Sequence, residues 1–418
     1  MSTEQNTKKT KEPAKILLGA AIALIFAAVA ATVAITMSIS GTMYGNLIKS
    51  LSPRVAMYDT IQELDGIVRN NYYGEINNLD HTAQLEIGYI KGIGDSKSRY
   101  FSPEEYKAYQ QRLKGNEPAA GILTQFKTAA GGLQVTRVFD SSPASKSGLK
   151  AGDVITEIAG SAVNAGNAAQ LLGKLQGGTL SSVQIKYSRA GKESSVKILL
   201  GYSNPTVVYE MQGEIGYVRI FAFYEKTADE VMYAINALQK KKAAAVVFDV
   251  RGVSEGTIAN AADVLDKLCP VPVDGSGALA TLVGKDGKVQ LSYSSDASQV
   301  SMRMAVITDG GTSGPAELFA CDLRDFDKVY LVGEKTAGDD SAQASFPLKD
   351  GGGILLTTAK VRPYKRESYA EGISPDVAVS LTDENKAKGA LLPLAEDAQA
   401  QAAFALFEQA QGGNENTP

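Results

Sequence analysis

Histidine is almost missing: His81 is the single one in 418 residues. A metal site built on several imidazoles is therefore excluded, and any Ser-His-Asp triad would have to use His81. It lies far in sequence from every candidate nucleophile and reads as a helix-surface or capping residue. Tryptophan is absent, and cysteine is limited to Cys269 and Cys321. Two cysteines without ligand spacing make neither a zinc site nor a disulfide framework. Cys321 falls in an apolar helical pattern and reads as a small buried residue, while a single bridge between the two stays open for a domain outside the cytoplasm. There is no large basic block and the net charge is −4, so nucleic acid is not an expected partner. No cofactor and no metal is expected.

What is present is an ordinary globular composition, 44% apolar and 21% charged, in a chain long enough for two or three domains. Residues 16–39 carry no charge. As a helix they span about 36 Å, enough for the hydrocarbon core of a bilayer. Lys8, Lys9, Lys11 and Lys15 precede them, which places residues 1–15 in the cytoplasm and the bulk of the chain outside the cell membrane as a single-pass protein. A cleaved signal peptide ending near Ala28-Val29-Ala30 is the rival, but the apolar run exceeds a usual signal core.

Residues 40–117 read as an N-terminal helical region, with Ile61, Leu64, Ile67 and Val68 at helical spacing. Ser102, Pro103 and Glu105 form a helix start: N-cap, proline in the first turn, glutamate at its end. Residues 118–204 change to short strands punctuated by glycine, with Gly132 to Val138 alternating as a strand. Residues 205–382 alternate strand and helix as an α/β core. Residues 383–418 read as one or two helices followed by a disordered end.

Two stretches carry the chemistry: Thr312-Ser313-Gly314-Pro315-Ala316-Glu317, and Gly333-Glu334-Lys335-Thr336-Ala337-Gly338-Asp339 continuing to Gln343. They resemble the SASASE and GExTxGKGxxQ motifs of the C-terminal processing peptidases (tail-specific serine proteases). Gly94 to Tyr106 is similar to the family's GDPYSRYLSPEEY run, which reads as packing. Ser142-Pro143-Ala144 through Gly152-Asp153-Val154-Ile155 is similar to the SPAxxAGLxxGDxI signature of PDZ domains in bacterial proteases. Asp249-Val250-Arg251-Gly252-Val253-Ser254-Glu255-Gly256 stands where the family has DLRNNPGG. Leu355 to Ala359 and Glu371 to Val377 match as well, so the resemblance runs from about Asp59 to Leu381.

The resemblance implies an α/β protease-like core with an inserted, mostly β PDZ domain, an N-terminal helical segment and one transmembrane helix. It also implies a Ser–Lys dyad, whose positions fall on Gly314 and Asp339, 25 residues apart. Glycine has no hydroxyl to attack with, so both dyad residues read as replaced, with the supporting Gln343 retained. Glu255 replaces a glycine where the family holds a developing oxyanion, which would oppose the charge to be stabilised. Ser313 is the fallback nucleophile, but one step along a helix or strand would aim its hydroxyl elsewhere. Lys335, four residues before Asp339, does not replace the lysine without a register shift. In the PDZ domain, Gly121, Ile122 and Leu123 take the place of the carboxylate-binding turn, with Leu171 and Leu172 on the helix lining the side-chain pocket.

The expected function is a membrane-anchored, extracytoplasmic, catalytically degenerate member of that family. It binds protein C-termini, or partners a second copy or an active relative, without cutting. An active serine endopeptidase using Ser313 and a purely structural envelope protein are the rival readings.

Overall fold

The computed structural model describes residues 18–176, 182–269, 278–295, 300–327 and 329–408, with side chains at 27–40 and from 55 onward except at 327. The chain divides into two compact units, Met1–Thr82 and Ala83–Pro418.

In the first unit, helix α1 (Leu18–Asn71) is continuous. Among the described residues no helix is long and apolar enough to cross a membrane. The helix expected to end at residue 39 instead runs on through Asp59, Glu63, Asp65 and Arg69. The expected span lies partly outside the described residues: all of residues 16 and 17, and the side chains of 18–26. Helix α2 (Asn78–Lys91) follows, and His81 takes a surface position with Nε2 3.9 Å from Asp65 Oδ1.

The second unit begins within α2 and continues with strand β1 (Arg99–Phe101) and helix α3 (Pro103–Leu113). Ser102 Oγ accepts from the Glu105 N–H, and Glu105 accepts from the Ser102 N–H, a complete capping box with proline inside the first turn. The β-rich insertion contains β2 (Pro118–Ala119), β3 (Ile122–Lys127), β4 (Gly132–Val138), the short helix α4 (Pro143–Lys146), β5 (Val154–Ile158), β6 (Ser161–Ala162), α5 (Ala168–Gly173), β7 (Ser182–Arg189), β8 (Lys192–Leu199) and β9 (Tyr202–Ser203). Its sheet runs β3-β4-β5-β7-β8, with β6 beside β5. Buried Val135, Ile155, Ile158, Leu171, Ile185 and Ile198 form its own core. Strands β2 and β9 pair with each other, so the two linkers enter and leave the module side by side.

The α/β core follows with β10 (Val207–Gln212), β11 (Ile215–Ile220), α6 (Thr227–Lys240), β12 (Ala245–Asp249), α7 (Ile258–Leu268), β13 (Ala278–Gly284), β14 (Val289–Ser294), β15 (Arg303–Thr308), α8 (Pro315–Asp327), β16 (Tyr330–Gly333), β17 (Ser341–Pro347), β18 (Gly353–Pro363) and β19 (Val377–Ala378). One sheet runs β10-β11-β12-β15-β16-β19, parallel from β11 onward. Its central strand Ala245–Asp249 is buried at every residue, the continuous apolar run a sheet covered on both faces requires. Helix α6 buries Val231, Ala234, Ile235 and Leu238, a single stripe at helical spacing.

Two boundaries differ from the sequence reading. Strand β1 pairs with β18 in a second sheet that also holds β13, β14 and β17. The segment before the insertion therefore supplies a strand to the core's second sheet, and its Phe101 is buried and stacked on Tyr109 of α3. At the other end, helix α9 (Asp383–Lys388) is followed by α10 (Ala398–Glu408), which buries Ala400, Ala403, Phe404 and Phe407 against Tyr217, Val247, Ile307 and Val332. It covers the second face of the parallel sheet and belongs to the core. Residues 409–418, expected to be disordered, lie outside the described residues.

Candidate active site

The turn between β15 and α8 is built by Thr312. Its buried hydroxyl donates to the Val250 carbonyl at 3.1 Å and accepts from the Asp309 N–H at 3.0 Å. Gly314 then reverses the chain with φ +58°, a left-handed conformation that costs a side-chain-bearing residue about 1–2 kcal/mol. Glu317, fully buried one turn into α8, anchors the whole elbow. One carboxylate oxygen accepts from the Gly314 N–H (3.0 Å) and the Asp339 N–H (2.7 Å). The other accepts from the Gly338 N–H (2.6 Å) and the Thr336 hydroxyl. A single glutamate thus locks the two motif-bearing loops together.

Within this frame Gly314 and Asp339 face each other. A Cβ added to Gly314 would stand 3.5 Å from Asp339 Oδ2. Ser313 lies in neither helix nor strand, and its hydroxyl donates to Asp339 Oδ2 at 3.3 Å. A lysine also arrives, where none was expected. Lys335 is exposed, whereas Lys97, from the segment before β1, forms an ion pair with Asp339 Oδ1 and donates to Ser341 Oγ at 3.0 Å. The Gly94-to-Tyr106 run, read as packing, therefore delivers a charge to the centre. Gln343 contacts Ser341 Oγ (2.8 Å) and Thr357 Oγ1 (3.3 Å).

Asp339 accepts from Lys97, Ser313, the Ser341 hydroxyl (2.5 Å) and the Ser341 N–H (3.1 Å). Burial pushes its carboxyl up, but these hydrogen bonds and the Lys97 charge outweigh burial and hold it below the ordinary range. A carboxylate stabilised in this way is a weak base for a serine hydroxyl. The Ser341 hydroxyl donates to Asp339 and accepts from Lys97 and Gln343, so its proton and both lone pairs are engaged. Tyr369 is buried behind the turn, its hydroxyl 3.4 Å from the Gly314 carbonyl; burial first, then the Glu317 and Asp339 charges, push its phenol well up.

The oxyanion side is altered twice. Helix α8 begins at Pro315, immediately after Gly314. In a strand-turn-helix elbow the N–H after the nucleophile is the natural oxyanion donor, and proline has none. The Gly252 N–H is itself bound to Asp309 Oδ1 at 2.8 Å. Glu255 is exposed, and its charge acts on Tyr109, Tyr224 and Arg112, a different set of neighbours from the oxyanion position expected for it. No disulfide joins Cys269 and Cys321, which are both buried. Among the described residues no cluster of His, Cys, Asp or Glu is suited to a metal ion.

In the insertion, Gly121 has φ +84°, and a Cβ there would meet Ser142 Cβ at 2.1 Å, so only glycine fits this turn. Its carbonyl accepts from the Phe139 N–H at 3.0 Å. The turn leads into β3, the edge strand of its sheet, with a register shift between Leu123 and Thr124. Leu123 is half-buried and Leu172 packs partly buried against the module's core, while Ile122 and Leu171 are inside that core.

A strand-turn-helix elbow on a parallel sheet, with a PDZ-like module inserted ahead of it, is the frame of a serine peptidase. The comparisons support a C-terminal processing peptidase family with a PDZ domain: residues 214–379 match peptidase family S41, and residues 120–200 match the PDZ domain. It is similar to the carboxy-terminal processing protease CtpA of Bacillus subtilis, 26% identical over 87% of this chain and 78% of that one. It is also similar to a probable CtpA-like serine protease of Staphylococcus haemolyticus, 26% identical over 74% of this chain and 62% of that protein. In fold, it is similar to a putative S41 protease from Bacteroides fragilis, with TM-score 0.55 and 18% identity over 81% of this chain and 92% of that one.

Proposed function

We propose that the protein is a non-cutting member of its family that captures protein C-termini through the PDZ module. The observation that carries this reading is the facing pair Gly314 and Asp339: no hydroxyl stands at the first, and the carboxylate of the second is neutralised by Lys97. Pro315 supports it by removing a main-chain donor from the oxyanion side. The Ser313–Asp339 contact is the feature that favours the rival, active reading, against which stands the lowered basicity of Asp339. Capture itself rests on the glycine turn at Gly121 and the edge strand β3, which can accept an added strand and a terminal carboxylate. In this reading residues 16–39 anchor the chain, with residues 1–15 in the cytoplasm and the rest outside. The absence of charge in that run, and the exposure of Val29, Val33, Ile35, Met37 and Ile39, support an anchor.

The test is binding of fluorescent peptides with free or amidated C-termini, alongside a fluorophosphonate label. A free carboxylate should be preferred by about 1.5–3 kcal/mol, the range for charge-assisted hydrogen bonds. No label should attach. Equal affinity for both peptides would remove carboxylate capture, and labelling abolished by Ser313→Ala would make the protein an active peptidase.

A further inference from the structure

Main-chain groups along an antiparallel strand point alternately to its two sides, so the register of β3 decides which of them an added peptide can reach. Ile122 pairs with Val138 and Leu123 with Arg137, and the Gly121 carbonyl accepts from the Phe139 N–H at 3.0 Å. Gly121 and Leu123 therefore direct their main-chain groups toward β4. Ile122 directs its own to the free edge of the sheet. Thr124 does the same, because the extra residue at the register shift, Thr136, lies on β4 and leaves the alternation of β3 intact. Ile122 thus carries the first carbonyl beyond the Gly121 turn that an added strand can use. A peptide with its carboxylate in the turn would donate its last N–H there.

That carbonyl is already occupied. Asn204, in the linker that leaves the module, donates from Nδ2 to the Ile122 carbonyl at 3.2 Å. The pairing of β2 with β9 brings this linker to the turn: Tyr202 lies opposite Ala119, and a Cβ on Gly121 would meet Tyr202 Cδ1 at 3.2 Å. The Asn204 carbonyl accepts from Lys226 Nζ at 2.6 Å, which holds its main chain beside the groove. The rest of the same side-chain amide is unsatisfied. Among the described residues Asn204 Oδ1 is buried with no hydrogen-bond partner, and so is Thr124 Oγ1, two residues further along β3. A primary amide offers the same kinds of donor and acceptor as a peptide bond, so Nδ2 stands in for the N–H of an incoming terminal residue. The unpaired oxygen would regain water on leaving, so this stand-in is weakly held.

We infer that Asn204 is a built-in competitor for the last main-chain amide of a captured C-terminus, and that a peptide pairs with Ile122 only by expelling it. The inference rests on the peptide-capture reading of the same groove. Fluorescent decapeptides with free, apolar C-termini are titrated into the full chain and into Asn204→Ala and Asn204→Ser, with circular dichroism and the unfolding midpoint reporting that each variant is folded. Both variants should bind about 3–10-fold more tightly than the parent, the worth of one net hydrogen bond. In the parent chain carrying isotopically labelled asparagine, the side-chain amide signals missing from both variants should move to the position of a solvated asparagine when peptide saturates. Equal affinity in all three chains, weaker binding by the variants, or asparagine signals unmoved by saturating peptide overturns the competitor and leaves capture standing. Binding by the variants alone supports both. No binding by any of the three chains removes the capture reading and the competitor with it.

Discussion

Two aspartates of the core, one at the end of a strand and one in the loop before β17, are held differently. Asp249, at the end of β12, is 1% exposed and gathers Arg219, Arg251 and the Tyr217 hydroxyl (2.6 Å). Arg251 continues to Asp397 (2.7 Å) and Gln399 (2.9 Å), which fasten α10. Burial pushes the Asp249 carboxyl up, but the two guanidinium charges prevail and hold it far below the ordinary range. Asp339 has one lysine, from a distant segment, with side-chain exposures of 39% for Lys97 and 16% for Asp339. The first cluster uses planar, multidentate arginines sealed from water. The second uses a flexible point charge that is partly exposed to water. The former is a structural joint, and the latter is a site that substitution can still reconfigure.

The sharpest way to break that contrast is Arg251→Leu. It leaves Asp249 and Asp397 buried with half of their counter-charge, and breaking a buried network of this kind costs about 3–5 kcal/mol. Urea unfolding should show this loss almost unchanged in high salt, since sealed charges are poorly screened. A loss below 1 kcal/mol would place the Asp249 cluster in the same class as Asp339.

The reconfigurable site is tested by rebuilding it. Gly314→Ser with Asp339→Lys supplies a hydroxyl and an amine, the serine accepting a strained left-handed φ. Lys97 then stands beside the new lysine, and like charge lowers its pKa toward a usable base. Hydrolysis of an unfolded tailed substrate should remain poor until Pro315→Ala restores an N–H. That third change should raise kcat by about 10²–10³, the worth of one oxyanion donor. Equal rates with and without Pro315→Ala would show that the proline is innocent.

The two motif loops are legible in the sequence because each is a contiguous run whose glycines and Glu317 define a backbone shape. Gly314 and Asp339 are located by the resemblance of these two runs to the family's motifs. Lys97 is not, because its partner Ser341 is 244 residues away and nothing local marks the contact. Pro315 is visible as a residue, but its consequence depends on α8 beginning there. Strand β1 is hidden for a related reason: three residues, Arg99–Phe101, are too few to show a period, and only β18 makes them a strand. The Ala-rich α10 looks like an appended tail because its buried face is supplied by a sheet far away in sequence.

A third aspartate gives the opposite sign. Asp322, on α8, is fully buried; among the described residues Oδ1 accepts from the Tyr364 N–H (3.2 Å) and Oδ2 has no hydrogen-bond partner. Burial pushes its carboxyl well up. The folded chain therefore holds this proton more tightly than the unfolded one. Its contribution to stability is full below the unfolded value near 3.8 and declines as pH rises through the folded value. Asp322→Asn, always neutral, should remove that decline and gain on the parent by about 1–3 kcal/mol at alkaline pH. Parallel stability curves would mean that Asp322 ionises freely.

The smallest expected effect belongs to Lys97→Met, and it bears most directly on the contrast. The pair is partly exposed, so its net worth should be about 0.5–1 kcal/mol despite the close approach, because water screens the attraction and the lysine gives up side-chain freedom. A cycle with Asp339→Asn isolates that coupling from the bonds Asp339 makes to Ser313 and Ser341. The pH dependence has the sign opposite to Asp322: the Asp339 carboxyl is lowered, so its contribution is present above the unfolded value near 3.8 and is lost as pH falls through the lower folded value. High salt should erase most of the coupling while leaving the Arg251 loss intact. A coupling of several kcal/mol, insensitive to salt, would instead make Lys97–Asp339 a sealed joint like Arg251–Asp249, and the site around Gly314 and Asp339 would then be fixed structure with no capacity to be rebuilt.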